Sequence, residues 1–392
     1  MSGQTTYRGN RRDRNRPDPQ HMYEETTVGV VVPAYNEEGF VGGVIETLPE
    51  YVDRAYVVDD CSTDGTWDEI KTTADRVNDR ESERDDETGR FDRRIIPIQH
   101  EANRGVGGAI KTGYLRAKRD GIGVTAVMGG DGQMDPDELT TVIDPIVDEK
   151  ADYAKGNRLI NADDREEMPG FRYVGNVILS SLTKIASGYW HIGDPQNGYT
   201  AISAAALDGA GIEEMFEFYG YCNDLLVRLS ANGFRVVDVP ISARYRDEES
   251  GIDYRTYVPL VSLMLLRTFL WRLSVRRETR AEVVRSGLYV GGAVGVVAGA
   301  ASFLRSLRPT AGGSALERSS LGSDGETGGV DDGETGGVND DTGQTVEGAI
   351  ADGGRSERPS NGKISLVVGL LMLACAMVAD ATINRALNET LE

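Results

Sequence analysis

The chain has 392 residues and carries 63 Asp and Glu against 42 Lys and Arg, which gives a formal net charge of −21. This acidity excludes a nucleic-acid-binding protein, which needs a basic face to replace the counterions of the phosphate backbone. Few of the basic residues are lysine, and an acidic excess with scarce lysine indicates a halophilic protein that works where salt screens charge. The three cysteines lack the number and spacing of a disulfide framework or a metal site.

The first part of the chain predicts a tail followed by one large domain. Residues 1–26 contain several arginines and no apolar run, which predicts a disordered basic tail. In residues 27–250, short apolar runs alternate with helix-length stretches, which predicts an α/β domain with helices covering a sheet. The predicted strands are 28–33, 55–58, 95–99, 124–128, 153–156 and 236–239. The predicted helices are 39–48, 66–77, 106–118, 136–149, 173–187 and 223–231.

The remainder of the chain alternates between apolar and acidic composition. An apolar stretch containing Arg267 is too short to cross a bilayer and predicts a helix on the membrane surface. Two longer uncharged runs predict transmembrane helices, separated by a polar segment that cannot bury a core. The predicted segments are amphipathic helices at 254–285, transmembrane helices at 286–304 and 362–383, an acidic glycine-rich disordered loop at 305–361 and a short tail at 384–392.

The arginines around the first transmembrane helix predict its orientation. Five arginines precede this helix within a short distance, whereas only Arg305 and Arg308 follow it closely. Because positively charged flanks stay in the cytoplasm, we expect a multi-pass protein of the cell membrane with its globular domain on the cytoplasmic side.

Polar residues collect where two predicted strands end. Pro33 and Tyr35 follow the first strand, and the adjacent acids Asp59 and Asp60 follow the second. Ligands of open α/β sheets bind beyond the carboxyl ends of the strands, where a carboxylate can accept hydrogen bonds from a ribose or a base and a tyrosine can stack. The alternative is that these acids only cap the next helix, a role that suits Asp64.

Four motifs occur in a fixed order on these strand ends. They are PAYNE at 33–37, VVDDCSTDGT at 57–66, the glycine-rich NRGVGGA at 103–109 and Asp-Gly-Gln at 131–133. Together they resemble the family 2 glycosyltransferases of the GT-A fold, and in particular the dolichyl- and polyprenyl-phosphate hexose synthases. The resemblance implies a GT-A α/β domain with a mixed, mostly parallel sheet, followed by the membrane helices described above.

The resemblance also implies a nucleotide site and a metal site. It assigns Pro33, Tyr35, Glu37 and Asp60 to the nucleotide, and Asp59 is expected there from its position at the strand end. The family's metal-binding stretch falls on Asp131 and Gln133, whose oxygens suit Mg²⁺ or Mn²⁺ bridging two phosphates. Position 129 holds Gly where the family usually has another acid, which puts that acid's contact with the donor in doubt. The alternative is a simple turn before the next helix.

Three further residues fall at the positions of the family's acceptor-phosphate site, although Asn176 stands where the family usually has Ser. Arg158 follows the fifth predicted strand, and Arg172 and Asn176, four residues apart, share one face of the next helix. Two arginines and an asparagine on one cleft can bind a phosphate through charge-assisted hydrogen bonds. The alternative is that the arginines only neutralise surface acids.

Asp224 opens a helix at a position where related enzymes carry an acid. It is predicted either to orient the acceptor or act as a catalytic base, or to cap the helix.

The predicted function is transfer of a hexose, with inversion, from a UDP- or GDP-linked donor to dolichyl or polyprenyl phosphate. The partners are then the nucleotide sugar, the polyprenyl phosphate and membrane lipid, with no nucleic acid, and a homo-oligomer is compatible with the sequence. Because a lipid phosphate is already anionic, no strong base is needed. Two alternatives are transfer to a hydroxyl of a lipid-linked glycan, which would use Asp224 as base, and a degenerate membrane scaffold that binds a sugar nucleotide without turnover.

Overall fold

A computed structural model of the chain describes residues 23, 25–83, 91–158, 170–242, 254–306 and 361–389. The predicted basic tail and the acidic glycine-rich loop lie outside these residues except at their edges. The structure contains eight strands in its described part: β1 Val28–Ala34, β2 Arg54–Asp59, β3 Ile95–Gln99, β4 Val124–Val127, β5 Tyr153–Asn157, β6 Thr200–Ser203, β7 Val236–Pro240 and β8 Asn388–Glu389.

Ten α-helices alternate with or follow these strands in the described residues. They are α1 Val41–Glu46, α2 Thr66–Glu83, α3 Val106–Asp120, α4 Leu139–Val147, α5 Gly170–Ser187, α6 Ala204–Gly209, α7 Tyr221–Ala231, α8 Tyr254–Val275, α9 Arg280–Ser306 and α10 Asn361–Ile383. Every predicted strand and helix of the domain has its counterpart, and β6, α6 and β8 were not predicted.

All eight strands form one mixed sheet in the order β3-β2-β1-β4-β6-β5-β7-β8. Only β6 runs antiparallel to its neighbours, β4 and β5, so β4 and β5 themselves point in the same direction. The remaining pairs are parallel. The predicted α/β GT-A fold with a mostly parallel sheet is confirmed.

The sheet is buried on both faces, as parallel sheets require. Every residue of β2 is buried, including Asp59 at its end. One hydrophobic cluster on each side of the sheet fills the space beneath the covering helices. This burial fixes the strand register, because a shift by one residue would turn every side chain to the other face. The loops at the strand ends are therefore held in defined positions.

Helix α8 differs from the predicted amphipathic helix, because both of its sides are apolar. Val261, Met264 and Leu265 are buried in a cluster with residues of α5 and α7. Leu263 and Leu266, by contrast, are more than half exposed. The sequence pattern did not separate these sides, since apolar residues surround the helix. One side thus packs on the domain, and the other presents apolar surface.

Three helices are long and apolar enough to cross a membrane: Tyr257–Val275 in α8, Arg280–Ser306, and Gly362–Ile383 in α10. The prediction that the apolar stretch containing Arg267 is too short to cross a bilayer is therefore wrong, because the helix continues to Val275. By contacts the chain divides into two units, residues 290–373 and the remainder. Within residues 290–373, α9 and α10 approach closely at glycines: a Cβ built on Gly295 would lie 2.9 Å from the Cα of Gly369. Small residues that allow such contacts are typical of transmembrane helix pairs.

A buried ionic cluster joins the two ends of this helix pair in the domain-containing unit. Asp380 of α10 accepts hydrogen bonds from Arg272 of α8 at 2.7 Å and from Arg285 of α9 at 3.1 Å, and all three side chains are fully buried. The start of α9 and the end of α10 therefore contact each other and α8 within the domain-containing unit.

The predicted C-terminal tail is partly structured. After α10, Asn388–Glu389 forms β8, which pairs in parallel with Val236 and Val237 of β7. Leu387, just before it, packs against one hydrophobic cluster of the domain. A two-residue strand carries no recognisable pattern, which is why the sequence did not reveal it.

We expect Asp380→Ala to destabilise the protein strongly, because it leaves two buried guanidinium groups without their carboxylate. Loss of one partner from a buried ionic group costs about 3–5 kcal/mol. The measurement is thermal unfolding of the detergent-solubilised protein, with Thr382→Ala, an exposed position on the same helix, as the control. Equal melting temperatures for the two variants would contradict the structural role of this cluster.

Candidate active site

A cleft of about 500 Å³ opens at the carboxyl ends of the central strands. Its lining includes Pro33, Tyr35, Glu37, Asp60 and Asp131. Sequence reasoning had assigned these five residues to the nucleotide or the metal, and the fold brings them to one place. The size falls within the range of pockets that enclose small ligands, roughly 300–1,000 Å³.

Backbone hydrogen bonds hold the three strand ends together at this cleft. The carbonyl of Ala34 accepts a hydrogen bond from the N–H of Asp60 at 2.9 Å, and the carbonyl of Pro33 accepts one from Gly130 at 3.0 Å. The loops after β2 and β4 are therefore fixed to the end of β1. Tyr35 stands at the cleft with about half of its surface exposed, where its ring can stack on a planar ligand.

Asp60 belongs to a buried hydrogen-bonded chain that the sequence did not reveal. Its Oδ1 lies 2.7 Å from Nδ1 of His100, and Nε2 of His100 lies 2.8 Å from the hydroxyl of Thr112. The same oxygen accepts the backbone N–H of Arg104 at 2.9 Å. With Nδ1 as donor to this carboxylate, Nε2 can accept from the Thr112 hydroxyl. The only available signal was the position of His100 directly after β3.

Asp59 does not contact the cleft, so its predicted role in nucleotide binding is corrected. The side chain is fully buried, and its oxygens accept hydrogen bonds from the Gln99 side chain at 3.1 Å and the Ser62 N–H at 3.3 Å. Adjacent residues at a strand end point to opposite sides, so only one of the pair can face the ligand. Asp64, as expected, caps the next helix by accepting from Thr66.

The glycine-rich segment at the start of α3 allows another loop to pack closely on it. A Cβ on Gly107 would lie 2.6 Å from the carbonyl of Phe216, and Gly108 donates its N–H to the carbonyl of Glu217 at 2.7 Å. We call residues 215–219 the cleft wall, because Phe218 and Tyr219 line the cleft. Both are about half exposed, and the sequence did not predict their role.

The Glu217 side chain ties this wall to α3. It lies 2.6 Å from Arg104 and 3.0 Å from Lys111. The hydrogen bond from Arg104 is the main reason that the pKa of Glu217 is lowered, with Lys111 adding to the effect against partial burial. Glu217 therefore stays ionised near neutral pH.

The predicted metal ligands lie in the loop after β4. Asp131 lines the cleft and accepts the N–H of Gln133 at 2.9 Å, whereas Gln133 is not among the lining residues. Within the described residues, no group of three or more acidic, histidine or cysteine side chains could hold a metal by itself. A Cβ on Gly129 would stand 3.0 Å from Oδ1 of Asp131, so the glycine keeps space beside this carboxylate. Such a site fits Mg²⁺ or Mn²⁺ that is shared with a ligand's phosphates.

Arg158 lies at the same edge of the sheet as the cleft. It follows β5, which is parallel to β4 and separated from it only by β6, a distance of two strand spacings or about 10 Å. Its Nε lies 2.8 Å from Oδ2 of Asp194. The segment that begins at Asp194 reaches the cleft at Gly198, so one short loop connects the two places.

The charges around Asp194 keep it ionised although it is buried. Burial raises its pKa, but the charges of Lys155 and Arg158 outweigh burial and lower it overall. Asp238 nearby shows the opposite result, because burial dominates and raises its pKa. Arg172 and Asn176 lie in the first turns of α5, and their side chains lie outside what the structure describes. Their predicted role stays a prediction.

Asp224 lies outside the lining of the cleft. It lines a second cavity of about 340 Å³ together with Arg228 and residues of α8. Its Oδ2 is 2.8 Å from Nε of Arg228 and accepts the N–H of Phe216 at 2.9 Å. This position does not support the predicted role of Asp224 as a catalytic base, since the reacting group would lie in the cleft.

Comparison with known proteins gives a family match and several relatives. The model of the family described as "Glycosyl transferase family 2" matches residues 29–209. A UDP-N-acetylglucosamine–dolichyl-phosphate N-acetylglucosaminyltransferase from Methanococcus voltae is 31% identical over 219 residues, which cover 56% of this chain and 86% of the relative.

Two bacterial relatives are similar over a comparable length. The polyprenol monophosphomannose synthase of Mycolicibacterium smegmatis is 29% identical, covering 60% of this chain and 83% of its own. The undecaprenyl-phosphate mannosyltransferase of Micrococcus luteus is 26% identical, covering 63% and 95%. Among solved structures, glucosyl-3-phosphoglycerate synthase from Mycobacterium tuberculosis with Mn²⁺ and UDP is 16% identical, covers 66% of this chain and 84% of that one, and has a TM-score of 0.46.

We expect His100→Ala to weaken binding of a nucleoside diphosphate about tenfold or more, because Asp60 loses the hydrogen bond that orients it. Hydrogen bonds to charged groups contribute about 1.5–3 kcal/mol. The measurement is calorimetric titration with UDP and with GDP in the presence of Mn²⁺. His191→Ala removes an exposed histidine outside the cleft lining and serves as the control. His100→Gln, which keeps a donor, should recover part of the affinity, and unchanged affinity in His100→Ala would contradict the assignment.

Proposed function

The chain belongs to glycosyltransferase family 2, and we propose that it transfers a sugar, with inversion, from a nucleotide sugar to a polyprenyl or dolichyl phosphate at the membrane. The observation that carries the proposal is the convergence of Tyr35, Asp60 and Asp131 in one cleft, with Arg158 at the same edge of the sheet. The names of the relatives agree on a polyprenyl- or dolichyl-phosphate acceptor and differ in the sugar. The proposed sugar is a hexose or an N-acetylhexosamine, carried by UDP or GDP.

The donor would lie with its base near Tyr35 and its diphosphate toward Asp131. Tyr35 offers a ring for stacking, and Asp60, held by His100, offers a carboxylate oxygen to the nucleoside. Asp131 would hold Mg²⁺ or Mn²⁺ against the diphosphate. When bound, the ion neutralises the charge that develops on the leaving nucleoside diphosphate. Phe218 and Tyr219 would form one side of the cleft beside the sugar.

The acceptor phosphate would approach from the side of Arg158. This guanidinium is fixed by Asp194 yet about one third exposed, so it can still meet a phosphate. Arg172 and Asn176 are proposed to complete the site from α5. The monoester is anionic near neutral pH and can attack the sugar's C1 without a general base. A single displacement forms the new C1–oxygen bond as the bond to the nucleoside diphosphate breaks, which inverts the anomeric carbon.

The membrane parts of the chain support a lipid acceptor. The exposed leucines of α8 would contact lipid, and α8, α9 and α10 are each long and apolar enough to span a bilayer. Arg277 and Arg280 are exposed just before the hydrophobic run of α9. Their positive charges support a protein of the cell membrane whose globular domain lies on the cytoplasmic side. A phosphate held at the membrane surface could then reach the cleft while its isoprenoid chain stays in lipid.

The central experiment offers the purified membrane protein a panel of labelled UDP- and GDP-sugars together with polyprenyl phosphate. We expect one donor to yield an organic-extractable, mild-acid-labile labelled product, since a glycosyl phosphate ester hydrolyses readily in acid. If no donor in the panel yields free nucleoside diphosphate, the proposal is overturned in favour of a binding scaffold. Label in an acid-stable lipid-linked glycan would instead indicate a hydroxyl acceptor.

We expect Asp131→Ala to lower turnover by about 100-fold or more and to remove its response to metal, because the cleft loses the carboxylate that anchors the ion. Chelation with EDTA should reduce the wild type to a similar level. Asp137→Ala, an exposed acid in the next turn outside the cleft lining, should retain both activity and metal response. Metal-dependent activity in Asp131→Ala would contradict the metal assignment.

We expect Arg158→Gln to raise KM for the lipid phosphate about tenfold with little change in KM for the nucleotide sugar. The reason is loss of a charge-assisted hydrogen bond to the phosphate. Initial rates measured against each substrate separate the two effects. Arg119→Gln, at an exposed site on α3, provides the control. A change confined to the KM for the nucleotide sugar would contradict the assignment of Arg158 to the acceptor phosphate.

A further inference from the structure

We infer that the Asp224–Arg228 ion pair positions the cleft wall, residues 215–219, and so sets the affinity of the cleft for its nucleotide without touching it. This inference rests on the proposed function, because it assigns the cleft to a nucleotide sugar. It gives Asp224 a positioning role where sequence reasoning had considered a catalytic base.

The ion pair holds the start of the cleft wall, and the segment before it, through hydrogen bonds to the backbone. Asp224 Oδ2 accepts both the N–H of Phe216 at 2.9 Å and Nε of Arg228 at 2.8 Å. Arg228 donates in turn to the carbonyl of Glu214 at 2.5 Å and to that of Gly211 at 3.2 Å. One buried pair thus fixes three backbone groups between residues 211 and 216. The side chains of Asp224 and Arg228 are only 2% and 10% exposed, so removal of either one leaves the other charge buried without its partner and destabilises the segment.

The other end of the wall is fixed independently. Gly108 donates its N–H to the carbonyl of Glu217, whose carboxylate binds Arg104 and Lys111. Phe218 and Tyr219 follow immediately, and the ring of Phe216 meets that of Phe218 edge to face with centroids 6.3 Å apart. The two cleft-lining aromatics are therefore held from both sides. Loss of the ion pair would release one of these anchors and leave the other in place.

Helix α8 packs directly behind the pair. The guanidinium of Arg228 lies over the ring of Trp271, 5.6 Å from its centroid, and Met264 and Thr268 line the same cavity as Asp224. Gly220, which follows the wall with a φ of +109°, lies so close to Val261 of α8 that a Cβ built on it would be 3.0 Å from that side chain. Helix α8 thus contacts both the ion pair and the residue that follows the wall.

The test is a double-mutant cycle on Asp224→Ala and Arg228→Gln, read by calorimetric titration with UDP and with GDP in the presence of Mn²⁺. We expect each single variant to lower the affinity for the nucleoside diphosphate that the wild type binds by about tenfold. The double variant should be no weaker than either single one, because both remove the same anchor. KM for the lipid phosphate should stay unchanged.

Asp224→Asn separates positioning from base catalysis. Its amide oxygen can still accept from Phe216, so we expect part of the affinity to return and turnover at saturating donor to stay near that of the wild type. A catalytic base predicts the reverse, with unchanged nucleotide affinity and a collapse of kcat. That outcome would overturn the inference.

Asp120→Ala controls for a general loss of stability. It breaks the ion pair of Asp120 with Arg54, which begins β2 at the opposite end of the strand from the cleft. We expect it to lower the melting temperature but not the affinity for the nucleotide. Additive losses in the double variant, or an equal loss in Asp120→Ala, would overturn the positioning role. Absence of nucleotide binding in the wild type would instead overturn the proposed function.

Discussion

Two backbone hydrogen bonds, from Asp60 to Ala34 and from Gly130 to Pro33, connect the loops after β2 and β4 to the end of β1. They can form only because β1, β2 and β4 run in parallel and end at the same edge of the sheet. The buried faces of the sheet fix the register, and the register fixes which side chain of each loop faces the cleft. Tyr35, Asp60 and Asp131 meet for this reason, although nearly one hundred residues separate the first from the last.

The sequence was a good guide wherever a residue's role follows from its own strand. Strands β1, β2 and β4 are rich in valine and alanine, and the motifs at the ends of such strands predicted much of the cleft. Strand β6 was not predicted because it has only four residues and runs against its neighbours. The choice between Asp59 and Asp60 depends on the side from which the next helix covers the sheet, which neither residue encodes.

Residues whose roles depend on distant partners were beyond sequence reasoning. His100 acts through Asp60 and Thr112, which belong to other elements. Asp224 matches a family position, but its contacts are set by Arg228 one turn later and by a loop that precedes the helix. The two-sided character of α8 is visible in its composition, yet which side packs on the domain is decided by α5 and α7.

The edges of the sheet bear on how two copies of the chain could associate. An exposed edge strand offers unpaired N–H and C=O groups to another molecule, and proteins often blunt such edges. At one margin β3 contains Pro97, which has no N–H to offer, and at the other the sheet stops at the two residues of β8. Growth of the sheet from one molecule into the next is therefore disfavoured at both margins.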